Sequence, residues 1–214
     1  MPTSDRLAYA ARYARRAAAE SRSEARLCIT PAPHRPDPAR WPDDRLTASW
    51  LGHATVLLNF TGTWLVTDPV LERRIGLGRG FAKLGPRRLV QPALGKRELP
   101  PLDGVLLSHA HMDHTDLGTL RAIPPQTRVV VQSGNRDLVR RFHAVDELAW
   151  GETTTIGGVE IESVETRHWG ARMLTDRHRG WGGYLLRKDG RTVLFGGDTA
   201  YTDVFTALRE RGPV

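Results

Sequence analysis

The chain has 214 residues, a net charge of +7 and an apolar content of 40%, which suffices for one folded domain with a buried core. It contains no apolar run of membrane-spanning length, no pattern of a secretory leader, and one cysteine, Cys28. These properties argue against a membrane-spanning protein and a disulfide-stabilised scaffold, and they predict residence in the cytoplasm.

The first 45 residues predict a basic extension that precedes the folded domain. Residues 5 to 27 are rich in alanine and arginine and predict a helix with a thin apolar face. Residues 30 to 42 contain five prolines and predict an extended linker. We therefore expect the folded domain to span residues 46 to 214.

The domain begins with a predicted strand pair over residues 47 to 59, which is broken at Gly52. A hairpin turn at residues 61 to 63 leads to a third strand, Trp64 to Thr67, and this strand ends at Asp68. An acidic side chain directly after an apolar strand is well placed to face a cleft at the edge of a sheet.

Residues 71 to 101 contain no periodic segment, and a loop of that length inside a domain is usually functional or mobile. The loop is basic, and such a cluster favours phosphates, acidic lipid surfaces or other anions. The same composition is equally typical of an ordinary solvated loop without a ligand, so both interpretations stay open. The residues predicted to bind an anionic substrate are Arg73, Arg74, Arg87 and Arg88.

The chain is organised around residues 105 to 114, where an apolar strand runs into three histidines and an aspartate. His109 and His111 are two positions apart, so their imidazoles face one side while the chain stays extended. Asp113 and His114 follow a turn and can reach a second position. Imidazoles with a carboxylate suit Zn²⁺, with iron or manganese open where carboxylates dominate. The segment therefore predicts a metal site at the end of a buried strand.

Two later strands also end in a residue that can bind a metal. The strand over residues 159 to 166 leads to His168, and the strand over residues 192 to 195 leads to Asp198. Beside the central motif we interpret both as metal ligands. The remaining predicted elements are strands at 128–132, 147–150, 153–156 and 183–187, a helix capped by Asn135 that reaches residue 142 or 143, and short helices from residue 117 and over 202–211.

These motifs resemble the metallo-β-lactamase superfamily from residue 46 to the end of the chain. The resemblance implies an α/β (α+β) fold, an αββα sandwich in which two β-sheets pack between helices. A narrower resemblance is to the N-acylphosphatidylethanolamine-hydrolysing phospholipase D branch. The segments that carry it are Trp50–Leu57, Thr67–Pro69, Leu99–Asp103, Arg167–Trp169 and Gly197–Tyr201.

The resemblance implies two metal positions and a hydroxide between two zinc ions as the nucleophile. The ligands of the first metal would be His109, His111 and His168. Those of the second, which also carry the catalytic role, would be Asp113, His114 and Asp198, with Asp198 bridging. His53 and Asp68 resemble pocket or supporting residues of the family. A purely structural role is an equally open interpretation of each.

The family pattern continues past the last predicted helix into further strands of the second sheet and a later histidine that binds the second metal. The resemblance thus implies a domain that lacks the last strands of that sheet, as a fragment or a truncated gene product. We expect one or two zinc ions here, a loosely closed fold and self-association.

The resemblance implies a zinc-dependent phosphodiesterase of the phospholipase D type, acting on N-acylphosphatidylethanolamine or a related anionic substrate. A lactonase-like hydrolase and a catalytically weak, metal-binding fragment stay open as alternatives. The expected partners are a small-molecule or lipid phosphodiester and, through the basic segments, the membrane periphery. Nucleic acid is not expected, because the chain has no room for an inserted nucleic-acid-binding domain.

Overall fold

A computed structural model describes residues 27–78, 83–173 and 175–211 of the chain, with side chains up to residue 208. Within the predicted N-terminal helix it also describes Arg12, Arg15 and Ala19, which are helical. The rest of residues 5 to 26 lies outside the described residues. In the part of the chain that is described, no helix is long and apolar enough to cross a membrane.

Ten β-strands of the described residues form two sheets, one of six strands in the order β1-β2-β3-β4-β5-β6 and one of four in the order β10-β9-β8-β7. The strands are β1 Leu46–Gly52, β2 Thr55–Phe60, β3 Thr63–Thr67, β4 Gly104–Leu107, β5 Arg128–Gln132, β6 Val145–Leu148, β7 Thr153–Ile156, β8 Val159–Val164, β9 Gly183–Lys188 and β10 Arg191–Phe195. The helical segments are short: the α-helix Leu117–Leu120 and the 3₁₀ helices Pro38–Arg40, Arg136–Val139 and Val204–Arg211.

The first sheet changes from antiparallel to parallel pairing at β3, and this change positions the site. Strands β1 to β3 are antiparallel, whereas β3 to β6 run parallel. Parallel strands are buried on both faces, which explains the uninterrupted apolar residues of β4 and β5. Because β3 and β4 run in the same direction, both deliver their following residues, Asp68 and Ser108, to one edge of the sheet.

The core confirms the predicted sandwich. One apolar cluster lies between the sheets, where Phe60 and Leu106 of the first sheet belong to the same cluster as Ile161 and Tyr184 of the second. Another cluster covers the outer face of the first sheet with the short α-helix and the segment after it. A small third cluster joins the outer face of the second sheet to the last 3₁₀ helix. Each fully buried large side chain stabilises the fold by roughly 1.5–3 kcal/mol.

Two predicted elements need correction. The helix expected from Asn135 to residue 142 is a single 3₁₀ turn, Arg136–Val139, and the Asn135 side chain does not cap it. Its amide instead donates to the Gln132 and Gly180 carbonyls, both at 3.0 Å, so tertiary contacts replace the cap. The strand predicted at residues 147–150 lies two residues earlier, at Val145–Leu148, because it pairs there with β5.

The long basic loop contains no named strand within its described residues, as predicted, but it is held together by isolated bridges. Its two arms meet at the pairs Arg74–Arg87 and Leu77–Leu84. Lys83 pins the loop to the centre of the molecule, because its buried ammonium lies 2.6 Å from a carboxylate oxygen of Asp116. The loop is thereby fixed beside the segment that carries the central histidines.

Candidate metal centre

Both sheets deliver polar side chains to one edge of the sandwich. From the first sheet come Asp68 after β3 and the segment of residues 108 to 114 after β4. From the second sheet, His168 follows β8 and Asp198 follows β10. The ligands predicted from the sequence are therefore neighbours in space, although His109 and Asp198 are 89 positions apart in the chain.

Three histidines form what we call the three-imidazole position: His109, His111 and His168. One nitrogen from each ring lies within 4.8 Å of the others. His111 Nδ1 is 2.9 Å from His109 Nε2 and 3.3 Å from His168 Nε2. The other nitrogen of His111, Nε2, is buried without a hydrogen-bond partner. Three ring nitrogens that converge in this way are what a bound cation would explain, so these residues fit a metal.

The protonation of these rings also suits a metal. Burial lowers the pKa of His109 to about 2, and the neighbouring imidazoles of His114 and His111 add to this shift. Burial likewise lowers the pKa of His111 and of His168. All three rings are therefore neutral at physiological pH, which is the form that binds a metal.

A second set, which we call the mixed position, consists of Asp113, His114 and Asp198. His114 Nε2 lies 3.4 Å from Asp198 Oδ1 and 3.8 Å from Asp113 Oδ2. The other oxygen of Asp198 lies 3.9 Å from His168 Nε2. Asp198 therefore faces both positions, which is the arrangement that its predicted bridging role requires; that role stays a prediction.

His53 lies closer to the mixed position than the sequence suggested. Its Nε2 atom is 3.4 Å from Asp113 Oδ2, and one atom each from His53, Asp113 and His114 lie within 4.8 Å of one another. The hydrogen bond from His53 is the main cause that holds the pKa of Asp113 far below its usual value. His53 has a φ of 55°, an uncommon conformation for a residue with a side chain. The Trp50 indole donates to its carbonyl at 2.6 Å and fixes it there.

Asp68 lies behind the histidines and is fully buried. Its Oδ1 accepts from the Ser108 backbone N–H at 2.8 Å. Its Oδ2 lies 2.5 Å from Ser108 Oγ, which donates to it, and 2.7 Å from His114 Nδ1. These bonds favour the supporting role predicted for Asp68, because they aim Nε2 of His114 at the mixed position. Burial alone would lower the pKa of His114, but the hydrogen bond and charge of Asp68 outweigh it and raise that pKa.

Sequence reasoning missed Ser108, although a polar residue between an apolar strand and His109 was a usable signal. Its Oγ lies 2.9 Å from His109 Nδ1, so it links that ring to Asp68. The space beside Ser108 depends on Gly197, whose φ is 58°. A Cβ at position 197 would lie 2.7 Å from Ser108 Cβ, so the close approach of the two sheets at this edge requires glycine.

The four arginines predicted to bind substrate are not part of either metal position. Arg87 and Arg88 line an open cavity of about 410 Å³ that His53 also borders. Arg88 is buried, and its guanidinium donates to the Val70 and Val90 carbonyls, so it supports the cavity wall. Arg74 donates to the Gly85 carbonyl within the loop, and Arg73 is exposed. Substrate contact by Arg73, Arg74, Arg87 and Arg88 stays a prediction.

Residues 63–213 match the family model described as the beta-lactamase superfamily domain. The chain belongs to the metallo-β-lactamase superfamily. It is 35% identical over 185 residues to N-acyl-phosphatidylethanolamine-hydrolyzing phospholipase D 1 of Caenorhabditis elegans, an alignment that covers 78% of this chain and 51% of the relative. This confirms the narrower resemblance noted in the sequence. The chain spans about half the length of the first curated relatives it matches.

Solved structures show the same fold. The isothiocyanate hydrolase from Delia radicum gut bacteria aligns with a TM-score of 0.61 at 22% identity, over 77% of this chain and 67% of that one. CmlA, a diiron beta-hydroxylase from Streptomyces venezuelae, aligns with a TM-score of 0.56 at 26% identity, over 78% of this chain and 32% of that one. The predicted fold is confirmed, and a relative with iron shows that the fold alone does not determine the metal.

Proposed function

We propose that this chain carries the metal-binding part of a zinc-dependent hydrolase that cleaves the phosphodiester of N-acylphosphatidylethanolamine or a related anionic lipid. The observation that carries the proposal is the convergence of three neutral imidazoles, in which His111 Nδ1 lies 2.9 Å from His109 Nε2 and 3.3 Å from His168 Nε2. The similarity to a phospholipase D of that substrate class supports the choice of substrate.

Each residue of the site would have a distinct role. The three-imidazole position would hold one zinc ion, and the mixed position would hold a second, with Asp198 between them. Asp68 and Ser108 orient His114 and His109 through their Nδ1 atoms. When bound, the metals would supply Lewis-acid activation of water and neutralise charge on the phosphodiester. His53 would meet the substrate, since it separates the mixed position from the cavity.

Zinc is proposed because imidazoles outnumber carboxylates among the residues of the two metal positions. Elemental analysis of the purified protein after growth with equal zinc and iron would test this choice. Zinc at one to two equivalents is the expected result. Iron in its place would retain the metal site and overturn the choice of metal.

The proposed partners are a lipid phosphodiester and the anionic membrane surface that contains it. The basic loop lies beside the cavity and carries the exposed apolar side chains Leu77, Leu84 and Leu89 among its arginines. Apolar side chains surrounded by cations suit the interface of an anionic bilayer. The lipid head group would then enter from the side of His53.

Vesicles that contain N-acylphosphatidylethanolamine test the proposed reaction, with release of phosphatidic acid and N-acylethanolamine as the readout. The zinc-loaded chain should release both products, and Asp113→Asn should reduce the rate strongly. Phosphatidylcholine vesicles are the control for the head group. Hydrolysis of lactones alone would favour the lactonase alternative, and zinc binding without any hydrolysis would favour a metal-binding fragment.

A further inference from the structure

Arg172 connects the two loops that carry the three imidazoles. It lies four residues after His168, and its side chain reaches back to the segment after β4. A single guanidinium nitrogen, Nη1, donates to the Ala110 carbonyl and the Thr115 carbonyl, both at 2.8 Å. These two carbonyls enclose residues 111 to 114, which contain three of the site's predicted ligands.

The surroundings of Arg172 combine burial, which disfavours its charge, with carboxylates that favour it. The side chain is half-buried, and burial lowers the pKa of its guanidinium, while the charge of Asp116 raises it. Asp176 and Asp137 also act on it favourably and Arg179 unfavourably, all through space. An arginine stays charged in such an environment, so both carbonyls receive a charge-assisted hydrogen bond.

We propose that Arg172 is a positioning residue that fixes the ligand segment of residues 109 to 115 against the loop of His168. The inference rests on the proposed metal site. The Nη1 bonds hold the backbone on both sides of the turn at Met112, so the imidazoles of the first loop meet His168 at a set distance. Without these bonds the two loops are free to separate, and the three nitrogens no longer converge before the metal arrives.

The chain offers a matched control in Arg141. Its Nη1 atom also donates to two backbone carbonyls, those of Leu120 and Ile123, at the end of the short α-helix. Arg141 thus makes the same kind of contact near the same helix, but its carbonyls lie outside the ligand segment. Replacing either arginine by methionine removes the donors and keeps an apolar stem of similar length.

Zinc dissociation constants, measured by competition with a chelator, test the proposal together with the visible spectrum of the Co²⁺-substituted protein. Arg172→Met should weaken zinc binding about 10- to 100-fold, as loss of a residue that orients ligands does, and should alter the Co²⁺ spectrum. Arg172→Lys should recover part of the affinity because an ammonium can still donate to a carbonyl. Arg141→Met should change zinc affinity by less than about twofold.

Hydrogen exchange of the metal-free proteins separates this inference from the proposed function. Amides of residues 109 to 116 should exchange faster in Arg172→Met than in Arg141→Met. If the wild-type chain binds no zinc but the two methionine variants still differ in exchange, the proposed function fails and the positioning role stands. Equal zinc affinity and equal exchange in the two methionine variants would overturn the positioning role. If Arg172→Met does not fold, Arg172→Lys decides: reduced zinc affinity or faster exchange of residues 109 to 116 supports the role, whereas wild-type affinity together with wild-type exchange overturns it.

Discussion

The two metal positions differ in burial and charge, although they are only a few ångströms apart. The three-imidazole position is built from neutral rings, and His109 is 2% exposed. The mixed position contains two carboxylates whose side chains are 41% and 49% exposed, Asp113 and Asp198. Its one buried member, His114, has a raised pKa because Asp68 binds its Nδ1 atom.

The difference indicates how each position would acquire its metal. Neutral, desolvated imidazoles need to lose no proton, so their geometry alone sets the affinity. The mixed position is closer to water and attracts a cation through its charge, but the raised pKa of His114 means that a proton competes with the metal there. We therefore expect a tightly bound first metal and a weaker, exchangeable second metal.

The largest expected effect comes from removing one ligand from each position. His111→Ala should weaken the tightly bound zinc by more than the 10- to 100-fold loss typical of a supporting residue. Asp113→Asn should lose only the weaker zinc. The number of zinc ions retained after gel filtration in the presence of a mild chelator distinguishes these results. Loss of the tight zinc from Asp113→Asn but not from His111→Ala would reverse the assignment of the two positions.

A second pair of variants tests the residues that orient the ligands. Asp68→Asn should lower zinc affinity at the mixed position roughly 10- to 100-fold, because an amide has a single acceptor oxygen. Asp68 uses Oδ1 to accept from the Ser108 backbone N–H and Oδ2 to accept from Ser108 Oγ and His114 Nδ1. Ser108→Ala should have a smaller effect, mainly at the three-imidazole position, since Ser108 Oγ contacts His109 Nδ1 and reaches His114 only through Asp68. Calorimetric titration that resolves two binding steps measures both, and identical losses in both steps for both variants would contradict this division.

Proton release on zinc binding should differ between the positions. Burial lowers the pKa values of His109, His111 and His168 below their usual value, so the first zinc should release fewer protons per imidazole at pH 6.5 than the second. The pKa of His114 is raised above its usual 6.5, so the second zinc must displace a proton there. The affinity of the second step should therefore rise as the pH increases through this range. Titrations in two buffers of different ionisation enthalpy count the protons, and equal release in both steps would refute the expectation.

The smallest expected effect concerns the basic loop, which extends the comparison beyond the metal ligands. Arg73→Glu should weaken binding to anionic vesicles roughly fivefold or more at low salt, since each cation near such a surface contributes about 1 kcal/mol. The difference should shrink at physiological ionic strength, where charges are screened over about 8 Å. Arg191→Glu, an exposed change on β10, is the control for net charge, and equal effects of both changes would contradict a specific role for the loop.

Local patterns in the sequence predicted the centre of the site well. The close spacing of His109, His111, Asp113 and His114 was enough to predict that they lie together, because all four follow β4 within seven residues. The strands that end at His168 and Asp198 were recognised from apolar runs, and a family resemblance supplied their pairing. The sandwich followed from the same resemblance and is confirmed.

What the sequence could not predict depends on contacts between distant residues. Nothing in the pattern around Arg172 indicates that it reaches Ala110, 62 positions earlier. Both Arg73 and Arg88 were predicted to bind substrate because of their charge. In the structure Arg88 is buried against backbone carbonyls, whereas Arg73 is exposed. The contact between His53 and Asp113 requires a turn in which His53 has a positive φ, and no periodic pattern in the sequence indicates that turn.

The placement of the site at the junction of both sheets has a consequence for folding kinetics. His109 and His168 come from different sheets, and the entropy of closing the intervening chain must be lost before their imidazoles can meet. The two sheets must therefore dock before the site exists. In a refolding chain, the addition of His168 as a third imidazole therefore follows docking, and the rate at which a metal gains that ligand would report on the docking of the two sheets.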